Sequence, residues 1–327
     1  MSASLTVSFT VLINNYNYAR FLGRAIDSVL GQTWQKVQLI VVDDGSTDDS
    51  AEVANRYTTA PNFLFLAKKN EGQNSAIAFG LPHASGDYTI ILDSDDWLNP
   101  QACETIARAI EDHQPNAVMY RLAIVDLAGK PQGFLPVHPF VRTLQRQHVQ
   151  MHGYIHSAPT SGNAYRTDFL KEAFRFVRPG SFSSDGYLAW AAGWTDNVSC
   201  LDDALGFYLV HGANTSTAAG LDRTRRLRRI NRTLDHSRHL YAWLAARGEA
   251  PATWHELIHA YIWREILFFK LTEGSYSDFS WRACRHYGVE KFLRGTHHGI
   301  WKQIKNIVFL QIGSYFGQAQ DFMGRRT

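Results

Sequence analysis

The sequence predicts an α/β protein: a mainly parallel sheet flanked by helices, with a helical C-terminal extension. Three observations predict it. Short β-rich apolar runs alternate with stretches of helical apolar spacing through the first hundred residues. The two acidic clusters of that half, 43–44 and 93–96, each follow directly on an apolar run. From about residue 221 onward the strand signals stop and the chain reads as helical and basic.

Taken in order, Val7 to Ile13 is the first strand. Phe21, Leu22, Ala25, Ile26, Val29 and Leu30 then recur at helical spacing, and Gly31 stands where a helix stops. Val37 to Val42 is a second strand, apolar on both faces. Ser46, with Asp49 three residues on, reads as a helix N-cap and its partner. Phe63 to Ala67 is a third strand, Gln73 to Leu81 a helix ended before Pro82, and Tyr88 to Leu92 a fourth strand. This alternation implies parallel strands covered on both faces. Ligands of such sheets bind beyond the carboxyl ends of the strands, where both acidic clusters fall. From 101 to 220 the pattern is mixed. Gln101 to His113 reads as a helix and Val118 to Val125 as a strand, with a turn at Gly129-Lys130-Pro131. Residues 132–165 read as irregular and His-rich, Ser183 to Ala192 as the start of a helix, and Ala204 to Val210 as a strand.

With 45% hydrophobic and 19% charged residues the chain is of globular composition, which excludes a disordered protein. A net charge of +3 gives no global field for nucleic acid. Three widely spaced cysteines, Cys103, Cys200 and Cys284, exclude a disulfide scaffold and a cysteine-built zinc site, and suit a reducing cytoplasm. The N-terminus has no basic n-region and no cleavage signal, so no secretion signal is expected. The longest charge-free run near the C-terminus, Asn306 to Gln320, is 15 residues, against the roughly 20 that a spanning helix needs. No Walker loop and no G-x-G-x-x-G occurs, which removes kinase and dehydrogenase readings.

Asp93-Ser94-Asp95 carries the chemistry. Two carboxylates at i and i+2 just past a strand can share one hard divalent cation, Mn²⁺ or Mg²⁺, with a diphosphate leaving group. The competing reading is a solvated acidic turn. Asp43-Asp44 ends another strand and Asn14-Asn15-Tyr16-Asn17 follows the first. A carboxylate there can accept the N3–H of a uracil while the first loop packs on the base; the competing reading is helix capping. Asn70-Glu71-Gly72-Gln73-Asn74 opens the third helix, whose free N–H groups either face a diphosphate or are capped in the ordinary way.

These segments, together with Ser28-Val29-Leu30-Gly31-Gln32-Thr33, Val41-Val42-Asp43-Asp44-Gly45-Ser46, Ala84-Ser85-Gly86-Asp87-Tyr88 and Leu92-Asp93-Ser94-Asp95-Asp96, resemble glycosyltransferase family 2 in order and spacing over about residues 8–100. The resemblance implies a GT-A (Rossmann-like) fold, a nucleotide-sugar donor that is usually UDP-linked, a Mn²⁺ or Mg²⁺ cofactor and inverting displacement at the anomeric carbon. It implies a GT-A domain over 1–220, with a nucleotide-sugar half of about 1–100 and an acceptor half of about 101–220, followed by a helical region over 221–327. By position, Asn15, Tyr16 and Asn17 line the nucleoside pocket, and Asp43 or Asp44 holds the uracil. Asn70, Gly72 and Gln73 lie toward the diphosphate, and Asp93 and Ser94 beside the ribose and donor sugar. Asp95 is the main metal ligand, with Asp93 beside it, and His211 either completes the metal site or touches the diphosphate; the competing reading of that His is structural. The family's frequent Arg after the Asn-x-Gly segment is absent, and Gln73 or Asn74 stands in its place.

An inverting enzyme needs one carboxylate to take the acceptor hydroxyl's proton. The matching segment, Phe182 to Tyr187, offers Asp185, with helix capping as the competing role. Asp168, Asp196, Asp202 and Asp203 lack that context. His211 falls in Tyr208-Leu209-Val210-His211-Gly212-Ala213-Asn214-Thr215-Ser216, similar to a family segment in which Arg commonly stands where this chain has Leu209. His138, His148, His152 and His156 have no fixed metal spacing and read as acceptor-loop or surface residues.

The expected function is transfer of a single sugar to a glycan or lipid-linked glycan in cell-surface polysaccharide biosynthesis, in the cytoplasm or peripherally at the inner face of the membrane. Spanning helices and a Gln-x-x-Arg-Trp segment, features of processive synthases, are missing. Two alternatives stand: a non-catalytic nucleotide-sugar-binding relative, and a nucleotidyltransferase. The second is disfavoured because Asn14 to Tyr18 holds neither Gly nor Lys. A membrane contact would use Arg223, Arg225, Arg226, Arg228, Arg229 and Arg232. It would also use a helical stripe of Trp301, Ile304, Val308, Ile312 and Tyr315, flanked by Lys302 and Lys305. The competing readings are a solvated basic face and a core-packed helix.

Overall fold

The computed structural model describes residues 7–111, 113–140, 145–152, 155, 157–178, 180–181, 184–211 and 223–258, with isolated positions between 262 and 279. The chain divides into two compact units, Met1–Ile262 and Trp263–Thr327, and every element below lies in the first. The stripe at 301–315, the end of the His211 segment (212–216), Phe182 and Ser183 lie outside the described residues.

Four parallel strands carry the first half: β1 (Phe9–Asn15), β2 (Val37–Asp43), β3 (Phe63–Ala67) and β4 (Tyr88–Asp93). Between them run the helices α1 (Ala19–Leu30), α2 (Ser50–Asn55) and α3 (Gln73–Gly80). β1 is buried on both faces, from Phe9 through Ile13, as a central parallel strand rich in apolar residues is, with Thr10 buried among them. It lies between β2 and β4, with Asn14 level with Asp93 and Asn15 level with Asp43. The register therefore places both acidic clusters beside the same two asparagines.

The second half continues the sheet through β5 (Trp97–Leu98), α4 (Ala102–Ile110), β6 (Ala117–Asp126), β7 (Pro131–Leu135), α5 (Gln145–His152), β8 (Asn163–Arg166), α6 (Thr167–Phe174), α7 (Asp185–Trp194), β9 (Val198–Val210) and α8 (Arg223–Ala246). The strand order is β3-β2-β1-β4-β8-β6-β9-β5, with β7 also on β6. β8 joins β4 and β6 antiparallel, while β9 runs parallel to β6. One face of the sheet packs Leu12, Ile91, Tyr165, Trp190 and Trp243, beneath α3, α6, α7 and α8. The other packs Ile13, Ile26, Leu39, Ile106 and Tyr120, beneath α1 and α4.

Several expectations need correction. Ser46 does not cap α2, which begins only at Ser50 after Asp49; its hydroxyl turns to Asp43 instead. Residues 132–165 are not simply irregular, since they hold most of β7, all of α5 and the start of β8. β9 begins at Val198, before Ala204. Among the described residues, no helix is long and apolar enough to cross a membrane.

Candidate donor and catalytic site

The site grows from the end of β1. Asn14 donates Nδ2–H to Asp93 Oδ1 over 2.9 Å, and Gln73, the first residue of α3, donates Nε2–H to the same oxygen over 2.7 Å. Burial pushes the Asp93 carboxyl up to about 7, and the charges of Asp95 and Asp185 push the same way, against the two amide hydrogen bonds. Gln73 thus grips the acidic cluster. Asn74 instead donates to the carbonyl and hydroxyl of Ser181 at 3.0 and 3.1 Å.

Asn15 turns the other way and donates Nδ2–H to Asp43 Oδ1 over 2.8 Å. The Ser46 N–H reaches Asp43 Oδ2 at 3.0 Å. Asn17, at φ 56°, accepts the Thr47 N–H at 2.7 Å and gives its own N–H to Ser46 Oγ at 2.9 Å. Asn tolerates this left-handed backbone better than most residues. The loops after β1 and β2 are thereby stitched into one wall, with Tyr16 44% exposed at its rim.

Asp44 does not share Asp43's surroundings. It is buried, paired with Lys68 Nζ at 2.9 Å, and accepts the N–H groups of Gly72 at 2.7 Å and Glu71 at 3.1 Å. Asp44 thus takes the N–H groups of Glu71 and Gly72, the two residues just before α3, while no side chain caps the first turn of α3 itself. Gly72, at φ 93°, ends this turn, and the Asn70 backbone packs against Gly45.

The Asp93–Asp96 cluster divides by role. Asp95 Oδ2 lies 2.9 Å from His211 Nε2. The His211 side chain is fully buried and stands against the rings of Phe21 and Tyr18, at 4.9 and 5.5 Å between centroids. Asp95 keeps 17% of its side chain exposed. Ser94 is buried. Asp96 is buried too, accepting Ser161 Oγ–H at 2.6 Å and the Leu209 N–H at 3.1 Å. Burial, with Asp95 and Asp93 nearby, raises its pKa. Ser161 also receives the Asp93 N–H at 3.1 Å. Sequence reasoning missed Asp96 and Ser161 as the clamp between halves, because nothing local distinguishes a bracing carboxylate from a ligand. Leu209 is buried against Phe21 and Val125, an apolar role an Arg could not fill.

Among the described residues, no group of three or more His, Cys, Asp or Glu is arranged to hold a metal. Asp95 and His211 are brought together as a pair. A cation shared with a diphosphate takes only one or two carboxylates from protein, and the partly open Asp95 carboxylate is the hard oxygen donor that Mn²⁺ or Mg²⁺ requires.

Asp185 opens α7, its Oδ1 accepting the Gly186 N–H at 2.8 Å. Its charge also helps to raise the Asp93 carboxyl, after burial and the charge of Asp95. His236 of α8 approaches it at 3.9 Å and packs against Gly186, where an added Cβ would come within 2.4 Å of the ring. The rival carboxylates have other work. Asp168 pairs with Arg166, Asp196 accepts the Arg146 N–H, Asp202 accepts the Phe140 N–H, and Asp203 is exposed. His138 is exposed and His148 lies on α5, while His156 lies outside the described residues. His236 and His239 went unread in the sequence; their spacing of three residues on a helix was the available signal.

With the geometry established, comparison with known proteins identifies the family. The model of glycosyl transferase family 2 matches residues 10–174. An uncharacterized glycosyltransferase of Nostoc sp. is 32% identical over 219 residues, covering 65% of this chain and 68% of that protein. The minor teichoic acid biosynthesis protein GgaB of Bacillus subtilis is 35% identical over 115 residues, covering 34% of this chain but only 13% of its own length. The chain belongs to glycosyl transferase family 2 and is an enzyme that transfers sugars. Its fold resembles the S. aureus TarS fragment 1–349 crystallised with UDP, at TM-score 0.56 and 19% identity, covering 81% of this chain and 73% of that one.

Proposed function

We propose that the protein is an inverting glycosyltransferase moving one sugar from a UDP-linked donor to a glycan or lipid-linked glycan acceptor in cell-surface polysaccharide synthesis, at the cytoplasmic side. The observation that carries this reading is the edge of the sheet where the register sets Asn14 level with Asp93 and Asn15 level with Asp43, with Asp95 paired to His211 just beyond it. The UDP of the TarS complex and the teichoic acid role in the name of GgaB support the donor and the acceptor class.

In this reading the Asn15–Asp43 pair and Tyr16 receive the nucleoside. Asp43 is the better candidate to hold the uracil, since Asp44 is taken up by Lys68, Glu71 and Gly72. Asp95, steadied by His211, and Asp93, held by Asn14 and Gln73, would hold the divalent cation, which when bound supplies positive charge for the leaving diphosphate. Asp185 takes the proton of the acceptor hydroxyl as its oxygen bonds to the anomeric carbon. The bond from that carbon to the donor phosphate breaks, and its electron pair leaves on the diphosphate.

The test is a panel of UDP- and GDP-sugars with Mn²⁺ and mixed glycan acceptors, read as nucleoside diphosphate release. Acceptor-dependent UDP release is the expected result. UDP-sugar binding by calorimetry without release on any acceptor would make the protein a non-catalytic relative.

A further inference from the structure

The ten residues Arg223 to Arg232 hold six arginines and no acid. Where they stand follows from how α8 is docked. His236 rests on Gly186 in the first turn of α7, and His239 meets Tyr187 at 5.5 Å between ring centroids. Glu249, just past α8, accepts the indole N–H of Trp194, the last residue of α7. From His236 onward, therefore, α8 runs beside α7 in the same direction. The residues before His236 extend past the beginning of α7, which is Asp185.

Arg228 and Arg232 precede His236 by eight and four residues, so all three share a strip along one side of the helix. At a rise of about 1.5 Å per residue, Arg232 stands about 6 Å and Arg228 about 12 Å beyond His236 along the axis. Arg228 is exposed and Arg232 half-buried. Neither has an ion-pair partner among the described residues, whereas Arg238 in the second half of α8 and Arg247 just past its end are paired with Asp235, Glu172 and Glu249. A guanidinium fork matches phosphate oxygens in pairs and stays charged at every working pH.

We propose that this strip is a phosphate-binding subsite on the acceptor side of Asp185, and that the acceptor carries phosphodiester groups beside the hydroxyl that is glycosylated. The proposal rests on the glycosyltransferase reading and names the acceptor's chemistry within it. The subsite draws a polyanionic acceptor to the base and sets its register along α8. Phosphate could also reach the strip from the donor diphosphate or from lipid headgroups, and the experiment separates the three.

The full chain and its Arg228→Glu/Arg232→Glu variant are titrated with a glycerol phosphate oligomer, with a neutral glucan oligomer of the same length, with UDP, and with vesicles containing anionic lipid. The wild type should bind the phosphodiester oligomer, weaken as salt is raised, and leave the neutral oligomer unbound. The variant should lose about tenfold or more in affinity for the phosphodiester, the scale of two charge-assisted hydrogen bonds, with UDP affinity unchanged. A variant with undiminished phosphodiester binding overturns the proposal. So does a variant that loses UDP affinity alone, which would assign the strip to the donor, or a wild type that binds vesicles and not the oligomer, which would assign it to the membrane. Failure of the wild type to bind UDP would count against the glycosyltransferase reading, while the oligomer titration would still decide the strip.

Discussion

His211 Nε2 and Asp95 Oδ2 stand 2.9 Å apart across 116 residues of sequence. The imidazole lies wholly inside the protein, so the contact fixes one carboxylate oxygen of Asp95 while 17% of that side chain stays exposed. If Asp95 is the principal cation ligand, Asp95→Asn should reduce sugar transfer by roughly two to three decades, the usual loss for one electrostatic element of a transition state. UDP release assayed over a range of Mn²⁺ concentrations measures it. Unchanged turnover, or full activity of the wild type in EDTA, would remove the metal assignment.

Asp185→Asn separates proton transfer from donor binding. The variant should bind UDP-sugar as the wild type does while turnover falls by roughly two to four decades, the range for loss of a general base. A collapse of donor affinity instead would place Asp185 in the nucleotide pocket or the scaffold.

His239 makes stability depend on pH. Burial, assisted by the neighbouring His236, pulls its pKa down from 6.5 to about 4, and its Nε2 accepts the Arg178 N–H at 3.2 Å, which only the neutral ring can do. Between pH 6.5 and 4 the unfolded chain takes up this proton and the folded chain does not, so stability falls as pH is lowered through that window. Melting temperatures measured from pH 7 to 4 should decline less steeply for His239→Gln than for the wild type. Parallel curves would show that other groups dominate the acid side.

Gly45 sits at φ 73°, and a Cβ there would lie 2.7 Å from the Asn70 nitrogen and 3.0 Å from the Lys68 carbonyl oxygen. Gly45→Ala should cost at least about 1–2 kcal/mol from the left-handed backbone alone. The clash would push the loop after β3 off Asp44. Urea unfolding reads the loss; a neutral substitution would mean that the two loops separate freely.

The first hundred residues were legible because their strands are mostly apolar on both faces and their turns carry their own chemistry. Val37 to Val42 and Tyr88 to Leu92 could be read as strands directly, and their ends placed Asp43 and Asp93 at one edge. The residues from 101 to 220 were less legible. β8 is four residues long and draws its identity from its neighbours β4 and β6, not from any period of its own. The pairing of Asp95 with His211 could be expected only through the family resemblance, since no local pattern joins residues so far apart. The division of labour between Asp43 and Asp44, and between Asp95 and Asp96, was invisible for a related reason. Adjacent carboxylates look alike until the fold turns Asp43 to Asn15 and Asp95 to His211, but Asp44 to Lys68 and Asp96 to Ser161.

The Asp96 clamp bears on how this enzyme can be recombined. Its carboxylate reaches forward to Ser161 before β8 and to Leu209 on β9, and β4 has β8 as its lateral neighbour. A hybrid cut near residue 100, joining the first half of this chain to the second half of another family member, keeps that buried carboxylate satisfied only where the incoming half supplies a hydroxyl at the place of Ser161 and a backbone N–H at the place of Leu209. An uncompensated buried acid is costly to fold around. A graft at the apparent seam in the sequence is therefore a test of stability before it is a test of specificity, whereas a segment carried through His211 takes both donors with it.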